Sequence, residues 1–244
     1  MSARFACLVT VVVVGLGAVT AAAGKKDPRP VAGPSCPGGT VALAFDDGPT
    51  PNTNLVLDAL RAAHLRATFF VIGYNVALYP EIARRIVAEG HTIGNHTYDH
   101  PDLTTLSASQ IDWEIRSNSD LIEQITGVRP KVLRPPYGAT NDLVRTRIAA
   151  NGLYEVLWTR DSWDWTGVDS TTILNQVTEL QPGGVILMHD TLPATLATIP
   201  SIAWYFREYW RQSPICAGRL APTTNVMPID DWPGQFFFVH AVPW

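Results

Sequence analysis

Val41-Ala42-Leu43-Ala44-Phe45-Asp46-Asp47-Gly48-Pro49 is the stretch that decides the fold. Its apolar run, with no polar residue on either face, reads as a strand buried on both sides, the kind found in parallel sheets. It ends on two carboxylates and a Gly-Pro turn, so polar chemistry is placed at the C-terminal end of a buried strand. The same sentence recurs along the chain. Strands are predicted at 67–72, 92–94, 132–133, 156–159 and 185–188. Helices are predicted at 55–63, 81–89, 107–125, 141–150, 171–180 and 195–210, with Ser107 and Gln110 at the spacing of a capping box. Strands alternating with helices imply an α/β fold with a parallel sheet, and the number of units favours a single-domain, distorted (β/α) barrel. Asp46-Asp47, His96, Arg134, 161–165 and His189-Asp190 each follow a strand, where parallel barrels assemble their active sites.

A chain of 244 residues with a net charge of −4 and no long basic run suits one larger domain. It excludes nucleic acid and anionic membrane as natural partners and favours a neutral or mildly cationic glycan. Arg4, the apolar stretch 5–19 and Ala21-Ala22-Ala23 read as a signal peptide over 1–23, which is a better account than a membrane anchor of that length. Secretion to the extracellular space is expected, with no stable membrane partner after cleavage. A linker over 24–36, the main domain over 37–216 and a C-terminal extension over 217–244 complete the division; 235–242, aromatic and apolar, is predicted as an added strand. Removing the signal removes Cys7. The remaining pair, Cys36 and Cys216, is expected to form a disulfide tying the ends of the domain, unless they are two unrelated buried thiols.

His96-Thr97-Tyr98-Asp99-His100 places two histidines four residues apart, a spacing that lets both turn to one metal but that also occurs on solvated surfaces. Adjacent carboxylates such as Asp46 and Asp47 commonly face water. Together, two histidines and one carboxylate would leave a fourth position for water, whose pKa a metal lowers from about 15.7 to near 7.

Phe45-Asp46-Asp47-Gly48-Pro49, His96-Thr97-Tyr98-Asp99-His100, Arg134-Pro135-Pro136-Tyr137-Gly138, Asp161-Ser162-Trp163-Asp164-Trp165 and Ile186-Leu187-Met188-His189-Asp190 resemble, in order, the five motifs of the NodB-homology polysaccharide deacetylases, carbohydrate esterase family 4. That resemblance implies a distorted (β/α) barrel. It implies metal ligands at Asp47, His96 and His100, a general base at Asp46 oriented by Arg134, and an oxyanion donor at the backbone N–H of Tyr137. It further implies a general acid at His189 oriented by Asp164, and an acetyl pocket formed by Trp165 and Leu187. The implied cofactor is a divalent metal, zinc with cobalt or nickel as alternatives. The implied reaction is removal of N-acetyl groups from N-acetylglucosamine units of chitin, its oligomers or peptidoglycan by a monomeric enzyme. Alternatives are O-deacetylation of acetylxylan and glycan binding without turnover. Ala44 departs from the family's usual Thr. His64, His91 and His240 match no family position. Asp99, Asp102 and Asp190 are expected to be solvated or capping, and Trp163, Tyr74 and Tyr98 to pack or to stack on sugar.

Overall fold

A computed structural model of the chain describes residues 41–180 and 184–206. Its centre is the opening stretch: β1 (Ala42–Asp46) is buried along its whole length. It pairs in parallel with β2 (Thr68–Val71) on one side and with β7 (Val185–His189) on the other. β3 (Thr92–Asn95), β4 (Val132–Leu133), β5 (Tyr154–Glu155) and β6 (Arg160–Asp161) complete a seven-stranded parallel sheet of order β5-β4-β3-β2-β1-β7-β6. The helices between them are α1 (Thr53–Ala63), α2 (Gly73–Leu78), α3 (Pro80–Ala88), α4 (Ala108–Thr126), α5 (Asp142–Ala150), α6 (Ser170–Thr178) and α7 (Pro193–Trp204).

Alternation along β1 divides the sheet's two faces. Leu43 and Phe45 join Phe69, Val71, Ile186 and Met188 in the large core beneath α1, α3, α6 and α7. Ala42 and Ala44 face the other way, into a small cluster with Phe70, Val132, Val156 and Val185 that fills the curled inside of the sheet. Small residues are needed there. A Cβ on Gly94 would lie 2.6 Å from the Phe70 ring. Each large apolar side chain sealed in the outer core contributes about 1.5–3 kcal/mol.

The two edge strands, β5 and β6, are consecutive in the chain, so the sheet curls until only residues 156–159 separate its edges. This is the expected distorted barrel, and it locates the distortion. The strand predicted at 156–159 is not formed; the extended pairing breaks into β5 and β6 on either side. The reason is Arg134. Its Nε–H donates to the Val156 carbonyl at 3.1 Å and Nη2–H to the Leu157 carbonyl at 3.0 Å, taking the acceptors that a neighbouring strand would use. Only the ends of the segment reach the sheet, through Val156 N–H to the Leu133 carbonyl and Thr159 N–H to the Val185 carbonyl.

Three other expectations are adjusted. The six-residue helix α2 has too little sequence for periodicity to show it. The last helix is described to Trp204, and the predicted portion from 207, with the predicted strand at 235–242 and the segments at 1–23 and 24–36, lies outside the described residues. The disulfide is corrected. Cys36 and Cys216 both lie outside the described residues, no disulfide exists among the described residues, and the barrel as described is held by packing, hydrogen bonds and ion pairs. No described helix is long and apolar enough to cross a membrane.

Candidate active site

The strand register carries the site. Asp46 ends β1 directly opposite His189 at the end of β7. Asn95 ends β3 opposite Leu133, so the next residues, His96 and Arg134, emerge together. The result is a pocket of about 350 Å³ lined by Asp46, Asp47, His96, His100, Tyr137 and His189, with Trp158, Asp161, Trp165 and Leu187 as its walls.

Asp47, His96 and His100 offer three ligand atoms that all lie within 4.8 Å of one another. The Asp47 Oδ1 atom stands 3.4 Å from His96 Nε2 and 3.2 Å from His100 Nε2. His96 Nδ1 lies 2.6 Å from the Arg134 carbonyl oxygen, which can only accept, so Nδ1 carries the proton and Nε2 presents its lone pair. Buried Asp47 Oδ1 has no hydrogen-bond donor of its own. A buried, unpartnered carboxylate oxygen facing two imidazole nitrogens is a mutually repulsive donor set unless a cation sits among them, and a divalent cation fits it. Burial alone would raise the Asp47 carboxyl. The surrounding His100, His96 and His189 imidazoles, in their protonated forms, outweigh burial and hold it well below the usual carboxylate range.

Asp46 is nearly inaccessible, and its Oδ1 accepts from Arg134 Nη1 at 2.7 Å. The guanidinium is wholly buried between the Phe70 ring, at 4.2 Å, and the Trp158 ring, at 5.7 Å. Burial lowers the Arg134 pKa and the Asp46 charge opposes this. The second carboxylate oxygen of Asp46 is left toward the pocket, 3.8 Å from His96 Nε2.

Across the pocket, His189 Nδ1 bonds Asp164 Oδ1 at 2.8 Å, leaving Nε2 directed at Asp47 Oδ2, 3.9 Å away. Buried Asp164 also accepts from the His189 backbone N–H at 2.7 Å and from the Thr195 hydroxyl at 2.5 Å. Burial disfavours the charged imidazole. The Asp164 hydrogen bond and charge, with the charges of Asp46 and Asp47, outweigh it and push His189 up to about 9. Leu187 is buried against Leu157 and Trp158. The Trp165 indole N–H donates to Asp161 Oδ2 at 3.2 Å, while Asp161 Oδ1 holds the Trp163 N–H at 2.8 Å. Trp163 is exposed, so it is not core.

Among the described residues, Asp47, Thr97, His100, Tyr137 and Trp163 adopt positive φ without being glycine, and the remaining case, His64, caps α1. Left-handed backbone is therefore concentrated in the loops of this pocket, as strain stored at functional sites is. Tyr137 sits at the second position of a short 3-10 turn with φ 61°, where backbone N–H groups have no partner within the turn. Its ring edges against His100.

Sequence reasoning missed several supports. Glu114, Asn118, Asn95 and Ser119 form a buried polar layer behind the His96–His100 loop. The available signal was their placement on α4: Glu114 and Asn118 fall on the same face as Ile111, Ile115 and Ile122. Asp190, expected to be solvated or capping, is wholly buried. One of its oxygens accepts from the Thr53 hydroxyl at 2.5 Å and the other has no partner. Burial, aided by the Asp47 charge, pushes it up to about 7. It fits beneath the turn after Asp47 because Gly48 lacks a side chain; a Cβ there would stand 2.5 Å from Asp190 Oδ2. Asp102 does cap, accepting from the Thr104 N–H, and Asp99 is exposed.

The family profile described as polysaccharide deacetylase matches residues 34–156. The chain belongs to the polysaccharide deacetylase family. It is 42% identical over 152 residues to the peptidoglycan-N-acetylmuramic acid deacetylase PdaC of Bacillus subtilis (strain 168), covering 62% of this chain and 32% of that protein. It is 40% identical over 153 residues to a peptidoglycan-N-acetylglucosamine deacetylase of Bacillus cereus, covering 62% of this chain and 56% of that one. The alignment thus spans 32% to 56% of the length of these curated polysaccharide deacetylases. Among solved structures, a family 4 carbohydrate esterase from Streptomyces lividans in complex with acetate matches with a TM-score of 0.68 and 41% identity, covering 77% of this chain and 95% of that one.

Proposed function

We propose that this polysaccharide deacetylase hydrolyses N-acetyl groups from N-acetylglucosamine-containing polysaccharide or oligosaccharide outside the cell, with a divalent cation, and releases acetate. The observation that carries the reading is one pocket in which a cation-binding triad, a carboxylate held by a buried arginine and a histidine paired with a buried aspartate converge. The identity of the curated relatives supports an N-acetylated glycan as substrate, and the secretory reading of 1–23 supports the compartment.

Asp47, His96 and His100 would hold the cation; two imidazole nitrogens and a carboxylate oxygen suit zinc, with cobalt and nickel close behind. When bound, it supplies Lewis-acid polarisation of the acyl oxygen and a nucleophile at neutral pH. The roles of the protein's own groups follow from their partners. Asp46 takes the proton of the attacking water on Oδ2, because Oδ1 is committed to Arg134. Water oxygen bonds to the acetyl carbon, and the resulting oxyanion meets the Tyr137 N–H. The carbon–nitrogen bond then breaks as His189 Nε2–H gives its proton to the departing nitrogen. An amine anion is too basic to leave alone, so a protonated histidine is needed at this step. Asp164 keeps that histidine protonated and aimed. Trp165 and Leu187 bound the space for the acetyl methyl.

Acetate release from chitin oligomers, peptidoglycan and acetylxylan, with and without chelator, tests the reading. Expected is chelator-sensitive release from an N-acetylated glycan. Equal release after chelation sinks the cation mechanism. Release from acetylxylan alone replaces the amide reading with the ester one.

A further inference from the structure

We infer that Glu114 is the positioning residue for the two histidine ligands: it fixes the loop between them and thereby sets the protein's affinity for its cation. The inference rests on the proposed cation site and deepens it.

The β2–β3 ladder ends with His96 N–H on the Val71 carbonyl; beyond it the loop to His100 turns through left-handed backbone, Thr97 at φ 66° and His100 at φ 62°, and its Thr97 and Tyr98 carbonyls accept from the Gly73 and Tyr74 N–H groups. Every backbone N–H from Thr97 to His100 nevertheless has a partner, and each partner is a side chain. Thr97 N–H donates to Asn95 Oδ1 at 2.7 Å, and His100 N–H to Thr97 Oγ1 at 3.1 Å. The two between, Tyr98 N–H and Asp99 N–H, both donate to a single atom, Glu114 Oε2, at 2.9 and 3.0 Å. Asn118, one helical turn along the same face of α4, donates its Nδ2 to the Thr97 carbonyl at 2.8 Å.

Glu114 is buried, and the Tyr98 and Asp99 N–H groups are the donors that meet its Oε2. Its burial is therefore compensated by these two backbone donors, an anion seated against consecutive N–H groups. A buried carboxylate is a costly residue at a helix position that an apolar side chain could fill, and the contacts it makes tie α4 to the loop that carries both histidines. Loss of such a support costs about 10–100-fold in metal affinity.

Zn²⁺ affinity of the metal-free full chain, measured by competition with a chromophoric chelator, is the test. Glu114→Asp keeps the charge but falls one methylene short of two donors; about tenfold weaker binding is expected. Glu114→Gln keeps an acceptor at full reach, and its affinity should lie closer to wild type than to Glu114→Asp. Ile111→Ala, on the same buried face but away from the loop, should lower the thermal midpoint and leave affinity unchanged. Wild-type affinity in Glu114→Asp overturns the inference. So does a Glu114→Gln chain weaker than Glu114→Asp, or an Ile111→Ala chain whose affinity falls in step with its stability. A wild-type chain that binds no Zn²⁺ overturns the cation site along with it.

Discussion

His96 and His189 face one another across the same pocket, and each uses its Nδ1 to hold an oxygen behind it. Behind His96 stands a neutral backbone carbonyl, that of Arg134; behind His189 stands the buried carboxylate of Asp164. A carbonyl fixes the ring and leaves Nε2 with a lone pair for a cation. A carboxylate fixes the ring equally well but also stabilises the imidazolium, so Nε2 carries a proton to give away. In the proposed reaction one residue type would therefore serve as ligand on one wall and as acid on the other, with the group on the far nitrogen deciding between them. The walls also differ in construction. The ligand wall is backed by the buried polar layer of α4 and by a wholly buried arginine, whereas the acid wall opens to exposed Trp163 and Trp165.

The hardest break is on the ligand wall. Asp47→Ala removes the shared carboxylate and should lower deacetylation by about a thousandfold or more, the several kcal/mol that a cation supplies. Zn²⁺ should restore chelated wild type and fail to restore the variant. A variant that retains activity within a factor of ten would place the cation, or the chemistry, elsewhere. Next comes the acid wall. His189→Ala should lower amide hydrolysis by about 10²–10⁴-fold. The same variant should keep most of its activity on an acetyl ester, because an alkoxide leaves without full protonation. Equal losses on amide and ester substrates would assign His189 a role in orienting the site rather than in protonating the leaving group.

The ligand wall and the acid wall were unequally legible in the sequence. Asp46, Asp47, His96 and His189 could be read because each sits within one residue of the end of a buried strand, so a local pattern places it at the barrel mouth, and His100 follows His96 at the four-residue spacing of a ligand pair. The strand–helix alternation was readable for the same reason: period 2 and period 3.6 are local properties. What pairs across the fold was not. Glu114 and Asn118 look like ordinary polar positions on an amphipathic helix until the packing turns them inward. Asp190 follows His189 at a strand end and carries no local sign of burial. The apolar run at 156–159 has the composition of a strand, and only the position of the Arg134 guanidinium shows that its carbonyls are already taken.

The finest test exchanges the one feature that separates the two histidines. Asp164→Asn puts a neutral acceptor behind His189, as the Arg134 carbonyl stands behind His96. Asn Oδ1 can still accept from Nδ1–H, so the ring should stay in place, although the His189 backbone N–H loses an acceptor. In metal-free protein the wild-type imidazole, pushed up to about 9 by Asp164 and the pocket carboxylates, should fall toward the ordinary value of about 6.5 in the variant. NMR of the His189 ring proton reads this directly. The sign in the activity follows from the protonated form being the acid: turnover is lost as pH rises through the histidine's pKa, so the basic limb should move to lower pH. At pH 7 about a quarter of the variant's imidazole would still be protonated, so the amide rate should drop by only about fourfold there; above pH 9 the gap should widen to more than about a hundredfold, one factor of ten for each pKa unit. Stability shifts in the same sense. A folded pKa above the unfolded one contributes stability that is complete below about 6.5 and lost as pH rises through about 9, so the urea midpoint of metal-free wild type should fall across that window more than the variant's does. An unmoved basic limb and an unmoved ring titration would mean that Asp164 only anchors the loop, and that the difference between the two histidines lies in the cation alone.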